Sequence, residues 1–235
     1  MLNKLIMTAA AFGAFGLTAA PALADAITLD ASKVGTTYTL NYDGFSDGTS
    51  ISGLTGSTAF TLTGISGNDY TVNYSVSNTS GAPITSSRIS SFAFNTNPDI
   101  TAAASTGAFA YTTLNSTYPN GIGAVDVCFK DASTGSCAGG GGGGLTQGQT
   151  GTGAFTLSFS SPVSSLTLSD FYVRYQSIAG AGYVTSASGS GTLTSTGGTS
   201  VPEPGMLGLL SLGLIGTALL RRRRQSVQDV RPAFA

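Results

Sequence analysis

The sequence has no histidine and no tryptophan among its 235 residues, and only two cysteines. Without His, imidazole acid/base catalysis and imidazole metal ligation are excluded before any motif is sought. Charge is scarce too: Asp, Glu, Lys and Arg make up 9% of the chain, against about 25% in an ordinary soluble domain. Between residues 25 and 200 there is no Glu, and nine Asp face four bases (Lys33, Arg88, Lys130 and Arg174), a balance of −5. This mild acidity disfavours nucleic acid or anionic lipid as a partner of that region. What is present is 41% hydrophobic residues and 33 Gly. That is apolar material enough for a core, in a chain unlike an average cytosolic enzyme.

The two ends read as addresses. Lys4 precedes an apolar run from Leu5 to Ala20, then Pro21 and Ala22-Leu23-Ala24. A charged start, an apolar stretch and an A-x-A site define a signal peptide over residues 1–24, cut by signal peptidase between Ala24 and Asp25. At the other end Pro202, Glu203 and Pro204 precede an uncharged segment, 206–220, and then Arg221, Arg222, Arg223 and Arg224. A helix over that segment is about 22 Å long against a hydrocarbon core of about 30 Å, and the long Arg stems extend its reach. The one-sided Arg cluster keeps residues 221–235 in the cytoplasm and residues 25–200 outside. Pro-Glu-Pro favours an extended backbone, open to an enzyme.

Val201-Pro-Glu-Pro, the short apolar segment and the Arg cluster resemble the PEP-CTERM sorting signal of Gram-negative bacteria, here over residues 201–224. The resemblance implies a transient inner-membrane intermediate, recognition by exosortase, a membrane Cys protease-transpeptidase, and delivery to the cell surface or the extracellular space. Residues 225–235 would be a cytoplasmic tail. Within the body, YPNGIGAVDVCFK, SCAGGGGGG and FTLSFSSPVSSLTLSDFYVRYQSI, spread over residues 118–178, resemble the cistern family of PEP-CTERM proteins. That likeness implies a location and carries no chemistry.

The body itself alternates. Tyr38, Leu40 and Tyr42, then Tyr70, Val72, Tyr74 and Val76, then Phe155, Leu157 and Phe159, and then Phe171, Val173 and Tyr175 are apolar at every second position. Period two with aromatic and β-branched residues means half-buried antiparallel strands. Asp43-Gly44, Asp47-Gly48, Gly67-Asn68 and Asn97-Pro98 supply the joints. We therefore expect an all-β fold, an antiparallel β-sandwich or jelly-roll over residues 25–188, with a C-terminal transmembrane helix. A Gly/Ser/Thr-rich linker is expected over 189–200.

Cys128 and Cys137, in a chain exported to an oxidising compartment, are expected to form a disulfide. The glycine run 139–144 lacks a following Lys-Ser/Thr and reads as a loop tip, not a phosphate cradle. Asp43 to Asp47 and Asn95 to Asp99 place oxygen side chains at short intervals, which fits turn chemistry better than calcium ligation, so no metal site and no cofactor are expected. Tyr172 and Arg174 share one strand face, read as solvated, with a sugar-binding patch as the rival. Asn73, Asn78 and Asn115 stand in N-x-[ST] sequons that a Ser/Thr-rich chain produces by chance. No pair of carboxylates stands in a glycosidase motif. The expected function is non-catalytic: an exported surface or extracellular-matrix protein associated with exopolysaccharide. The alternative is a displayed carbohydrate- or calcium-binding module.

Overall fold

The structure, a computed structural model, describes residues 25–133, 137 and 142–197. Its strands are β1 (Ile27–Leu29), β2 (Thr37–Ser46), β3 (Thr49–Ser66), β4 (Asp69–Asn78), β5 (Ser86–Asn97), β6 (Ala102–Gly107), β7 (Tyr111–Tyr118), β8 (Gly123–Lys130), β9 (Leu145–Thr146), β10 (Thr150–Ser158), β11 (Leu166–Ala179) and β12 (Ser186–Thr196). A single 3-10 turn, Ala31–Lys33, interrupts them, its first turn capped by Asp30. All strand pairings among the described residues are antiparallel, as the alternation predicts. Among the described residues no helix is long and apolar enough to cross a membrane. The expected signal peptide 1–24 and membrane segment 206–220 lie outside them.

The two-layer expectation gives way to one sheet, in the order β6-β10-β4-β3-β2-β12-β11-β5-β8-β7, with β1 added to β11 and β9 to β5. Its ends nearly meet, since Thr112 Oγ1 on β7 donates to the Ala103 carbonyl on β6 at 3.1 Å. Curling one twisted sheet towards a barrel buries the inward face of every strand and leaves little free edge. Alternation says which side chains point inward; it is silent on whether neighbouring strands share one sheet. That is decided by distant pairings such as β2 with β12.

Inward residues from opposite walls meet in a column of rings. Phe92 of β5, Phe129 of β8 and Phe155 of β10 stack at 4.9 and 4.7 Å, and Phe60 of β3 lies 6.0 Å from Phe171 of β11. Each such pair adds about 0.5–1.5 kcal/mol beyond the burial of its area. The hairpin between β2 and β3 closes on Asp47 and Gly48, both at positive φ (48° and 76°). A two-residue turn of this hand matches the twist of the strands it joins.

The sharpest difference from the sequence reading is at the C-terminal end of the body. Most of the expected linker is strand: β12 runs to Thr196, between β11 and β2. Its small residues suit a crowded place. A Cβ on Gly189 would meet Val173 Cγ2 at 2.8 Å, and one on Gly191 would meet Tyr42 Cε1 at 2.7 Å. Composition suggests a tether, whereas the rings of β2 and β11 require glycine at these two points.

Candidate functional site: the seam beside β1

β12 follows β11 only as far as the pair Tyr172↔Ser190. Beyond it, β11 takes β1 as its partner through Leu168↔Ile27. The change is made at Asp170, whose φ is 53°, where β11 also slips register against β5. A non-Gly residue in the left-handed region inside a strand is the kink of a bulge. Asn95 Nδ2 holds its carboxylate at 3.1 Å. β1 thus lies beside the splayed end of β12, and the Asp25 carboxylate accepts the Leu193 N–H at 3.0 Å. Tyr38 Oη crosses to the Thr28 carbonyl at 3.1 Å.

Two grooves flank this seam. One, of about 210 Å³, is lined by Asp25, Asp170, Tyr172, Ser190 and Thr192. The other, of about 410 Å³, is lined by Ala26, Thr28, Lys33, Thr36 and Tyr38, together with Thr196 and Gly197 where the described chain ends. The first brings two carboxylates and a partly buried ring together, a combination suited to sugar hydroxyls or a cation. Sequence reasoning considered Asp25 only as a cleavage product and missed Asp170, because nothing local marks a strand aspartate as a kink.

The face expected to be solvated around Arg174 is instead a small buried layer. Cys128 and Cys137 form a disulfide with Cα atoms 6.1 Å apart, and they pack with Ala93, Tyr118 and Val125 beneath Tyr172. Tyr118 and Tyr172 rings are 5.8 Å apart. Arg174 is 7% exposed. With the Asn120 amide oxygen turned inward, it accepts from Arg174 Nη1 at 3.0 Å and from the Ser188 N–H at 2.8 Å. The orientation follows from the donors around it. Burial lowers the pKa of Arg174, opposed by Tyr118. The β7–β8 hairpin and the disulfide cover the sheet here, which a strand-by-strand reading cannot foresee. As a displayed sugar patch the Arg174 head is out of reach.

Several other polar groups are engaged within the fold. The Asp126 carboxylate accepts the Thr96 N–H at 2.7 Å. Asp131 pairs with Arg88 at 3.5 Å; burial raises its pKa and Arg88 opposes that. Burial lowers the pKa of Lys130, with Asp131 opposing. Arg88 also donates to the Gly143 carbonyl and to Gln176 Oε1, at 2.7 Å for the latter, and so pins the end of the glycine run. The oxygen spacing from Asp43 to Asp47 does not make a ligand loop, because Asp43 lies in β2 opposite Thr55 and Ser190 while Asp47 is in the turn. Asn95 is in β5, bonded to Asp170 and to the Asp126 N–H. No group of three or more Asp, Glu, Cys or His that could hold a metal occurs among the described residues. Asn78 is buried and its amide donates to Ser87 and Leu145, so that sequon is closed to a glycan in the folded chain.

Of the sequence-predicted site residues, Asp25, Cys128 and Cys137 fall in the described body. Ala22, Ala24, Pro202, Glu203, Pro204 and Arg221 to Arg224 lie outside it. The described residues form a β-barrel-like body whose last strand ends at Thr196, and a C-terminal segment follows it in the sequence. That segment, residues 200–224, matches the family model for the PEP-CTERM protein-sorting motif. The motif implies export through the membrane, processing by exosortase and delivery to the cell surface or the extracellular space. No curated protein and no solved structure matches the chain.

Proposed function

We propose that the body is a non-catalytic surface or extracellular-matrix protein, delivered by its PEP-CTERM signal and associated with exopolysaccharide. The observation that carries this reading is the sorting motif at 200–224, four positions after the last residue of β12. In support, Asp25, Asp30, Asp126 and Asp131 are occupied in capping or pairing the backbone and Arg88. Carboxylates so engaged are poor candidates for acid/base work, which needs a free, tuned group facing a substrate. The likeness of residues 118–178 to cistern proteins points the same way, to a location without an assigned reaction.

Mass spectrometry of the protein from its own cells tests the reading. Signal peptidase cleavage gives a chain beginning at Asp25, and exosortase processing gives one ending near Pro202–Pro204. A mature form intact through Arg224 would defeat it.

A second reading, a carbohydrate- or calcium-binding module, draws on the groove between Asp25, Asp170 and Tyr172. Glycan-array binding, or a melting temperature lowered by chelator, each lost in Tyr172→Ala or Asp170→Asn, would favour it. Normal folding with neither response favours the first.

A further inference from the structure

β12 leaves the chain little slack before its sorting motif. The strand is paired with β2 as far as Thr196↔Tyr38, and the Gly197 N–H donates to the Thr37 carbonyl at 2.7 Å. The backbone is therefore held in the sheet through Gly197. Five Cα steps separate Gly197 from Pro202, a reach of at most about 18 Å. A linker starting at Gly189 would reach more than twice as far. Slack could be gained by unzipping β12 backwards from Thr196, but at Leu193 the Asp25 carboxylate holds the strand from its other edge.

The apolar segment begins at Met206, four residues beyond Pro202. On the reading that residues 206–220 enter the membrane, an enzyme engaging Pro202 to Pro204 has the bilayer on one side and the folded sheet on the other. Gly197, the last described residue, lines the same groove as Thr28, Lys33 and Thr36.

We propose that the folded body is a steric determinant of its own sorting, because the processing enzyme must work within about 18 Å of the β12 end and against the surface bearing Thr28, Lys33 and Thr36. The proposal rests on the exosortase reading above and adds the partner's contact surface. Nothing in the tether needs to be recognised; its length sets access.

The test uses the full chain in its own host, with pulse–chase measurement of the conversion to the processed form. Inserting ten Gly/Ser residues after Gly197 should speed conversion at least about threefold, since the flexible reach rises well beyond the native limit. Thr28→Arg, a bulky charge on an exposed strand position, should slow conversion with the native tether and leave it unchanged with the long one. Conversion indifferent to tether length, or slowed by the insertion, overturns the proposal. So does an equal slowing by Thr28→Arg on both tethers when the processed proteins melt alike. A chain recovered intact through Arg224 in every variant removes the exosortase reading itself, and this proposal with it, whereas cutting at a rate blind to the tether removes the proposal alone.

Discussion

Asp25 and Leu193 are 168 positions apart in the chain, yet the carboxylate of the first accepts the backbone N–H of the second at 3.0 Å. Asp25 is also the residue that signal peptidase is expected to expose. The bond satisfies a strand donor where β12 has lost β11 as a neighbour, and unsatisfied strand donors are costly unless water reaches them. Asp25→Ala should therefore lower the stability of the mature protein by about 1–2 kcal/mol, a charge-assisted bond at a partly exposed site. Asp25→Asn, which keeps an acceptor, should lose less. Urea midpoints at unchanged slope measure both, and an Ala variant as stable as the parent would mean that water serves Leu193 equally well.

Glycines in β12 give a prediction that runs against strand propensity. Ala or Val at Gly191 improves the local preference for strand but drives a Cβ to 2.7 Å from the Tyr42 ring and 3.0 Å from Phe171 Cβ. Overpacking of this kind costs about 1–3 kcal/mol. At Gly64 of β3 a Cβ would have no atom within 4 Å, so Gly64→Ala should be neutral or stabilising by up to about 1 kcal/mol. Thermal melts of the two variants should diverge; parallel behaviour would contradict the packing around Gly191.

These glycines also show where the sequence was legible and where it was not. The inward set was plain: Tyr38, Leu40, Tyr42, Phe155 and Leu157 are all buried, because period two is a local property of a pleated strand. Turn chemistry at Asp47-Gly48 was equally local. Gly189 to Thr196 misled because its glycines and small polar residues read as a tether, whereas the rings that exclude a side chain at Gly189 and Gly191 come from residues some 150 and 20 positions away. Arg174 misled for the same reason: its cover is the β7–β8 hairpin and the disulfide, brought over by tertiary contact. The sorting motif was fully legible, since its three parts act in order along the chain and need no partner strand.

The disulfide tests whether the outer layer and the barrel core are separable. Cys128 and Cys137 belong to the small cluster with Ala93, Tyr118 and Val125, apart from the main core. On the loop-entropy argument a ring of this size contributes about 2.5 kcal/mol. Cys128→Ala with Cys137→Ala should then lower the melting temperature by about 5–10 °C while the barrel still unfolds cooperatively. Loss of all cooperative unfolding would show that the outer layer is needed for the barrel to exist.

Tyr175 carries the last prediction. Its hydroxyl is buried with no hydrogen-bond partner among the described residues, whereas Tyr42 Oη meets Thr58 Oγ1 at 3.0 Å and Tyr118 Oη meets Ser91 Oγ at 3.2 Å. Burial raises the pKa of all three phenols. The unfolded chain gives up these protons near pH 10 and the folded chain keeps them, so stability is fully present below about pH 10 and falls as pH rises above it. Each tyrosine contributes a slope of about 1.4 kcal/mol per pH unit in that range. Tyr175→Phe removes an orphaned hydroxyl and one titrating group together. At pH 8 it should stabilise the protein by about 1 kcal/mol, and above pH 10 the urea midpoint should fall less steeply than in the parent. Tyr42→Phe, which strands Thr58 Oγ1, should show the shallower alkaline slope without the gain at pH 8. A Tyr175→Phe variant less stable at pH 8 would require a partner for that hydroxyl.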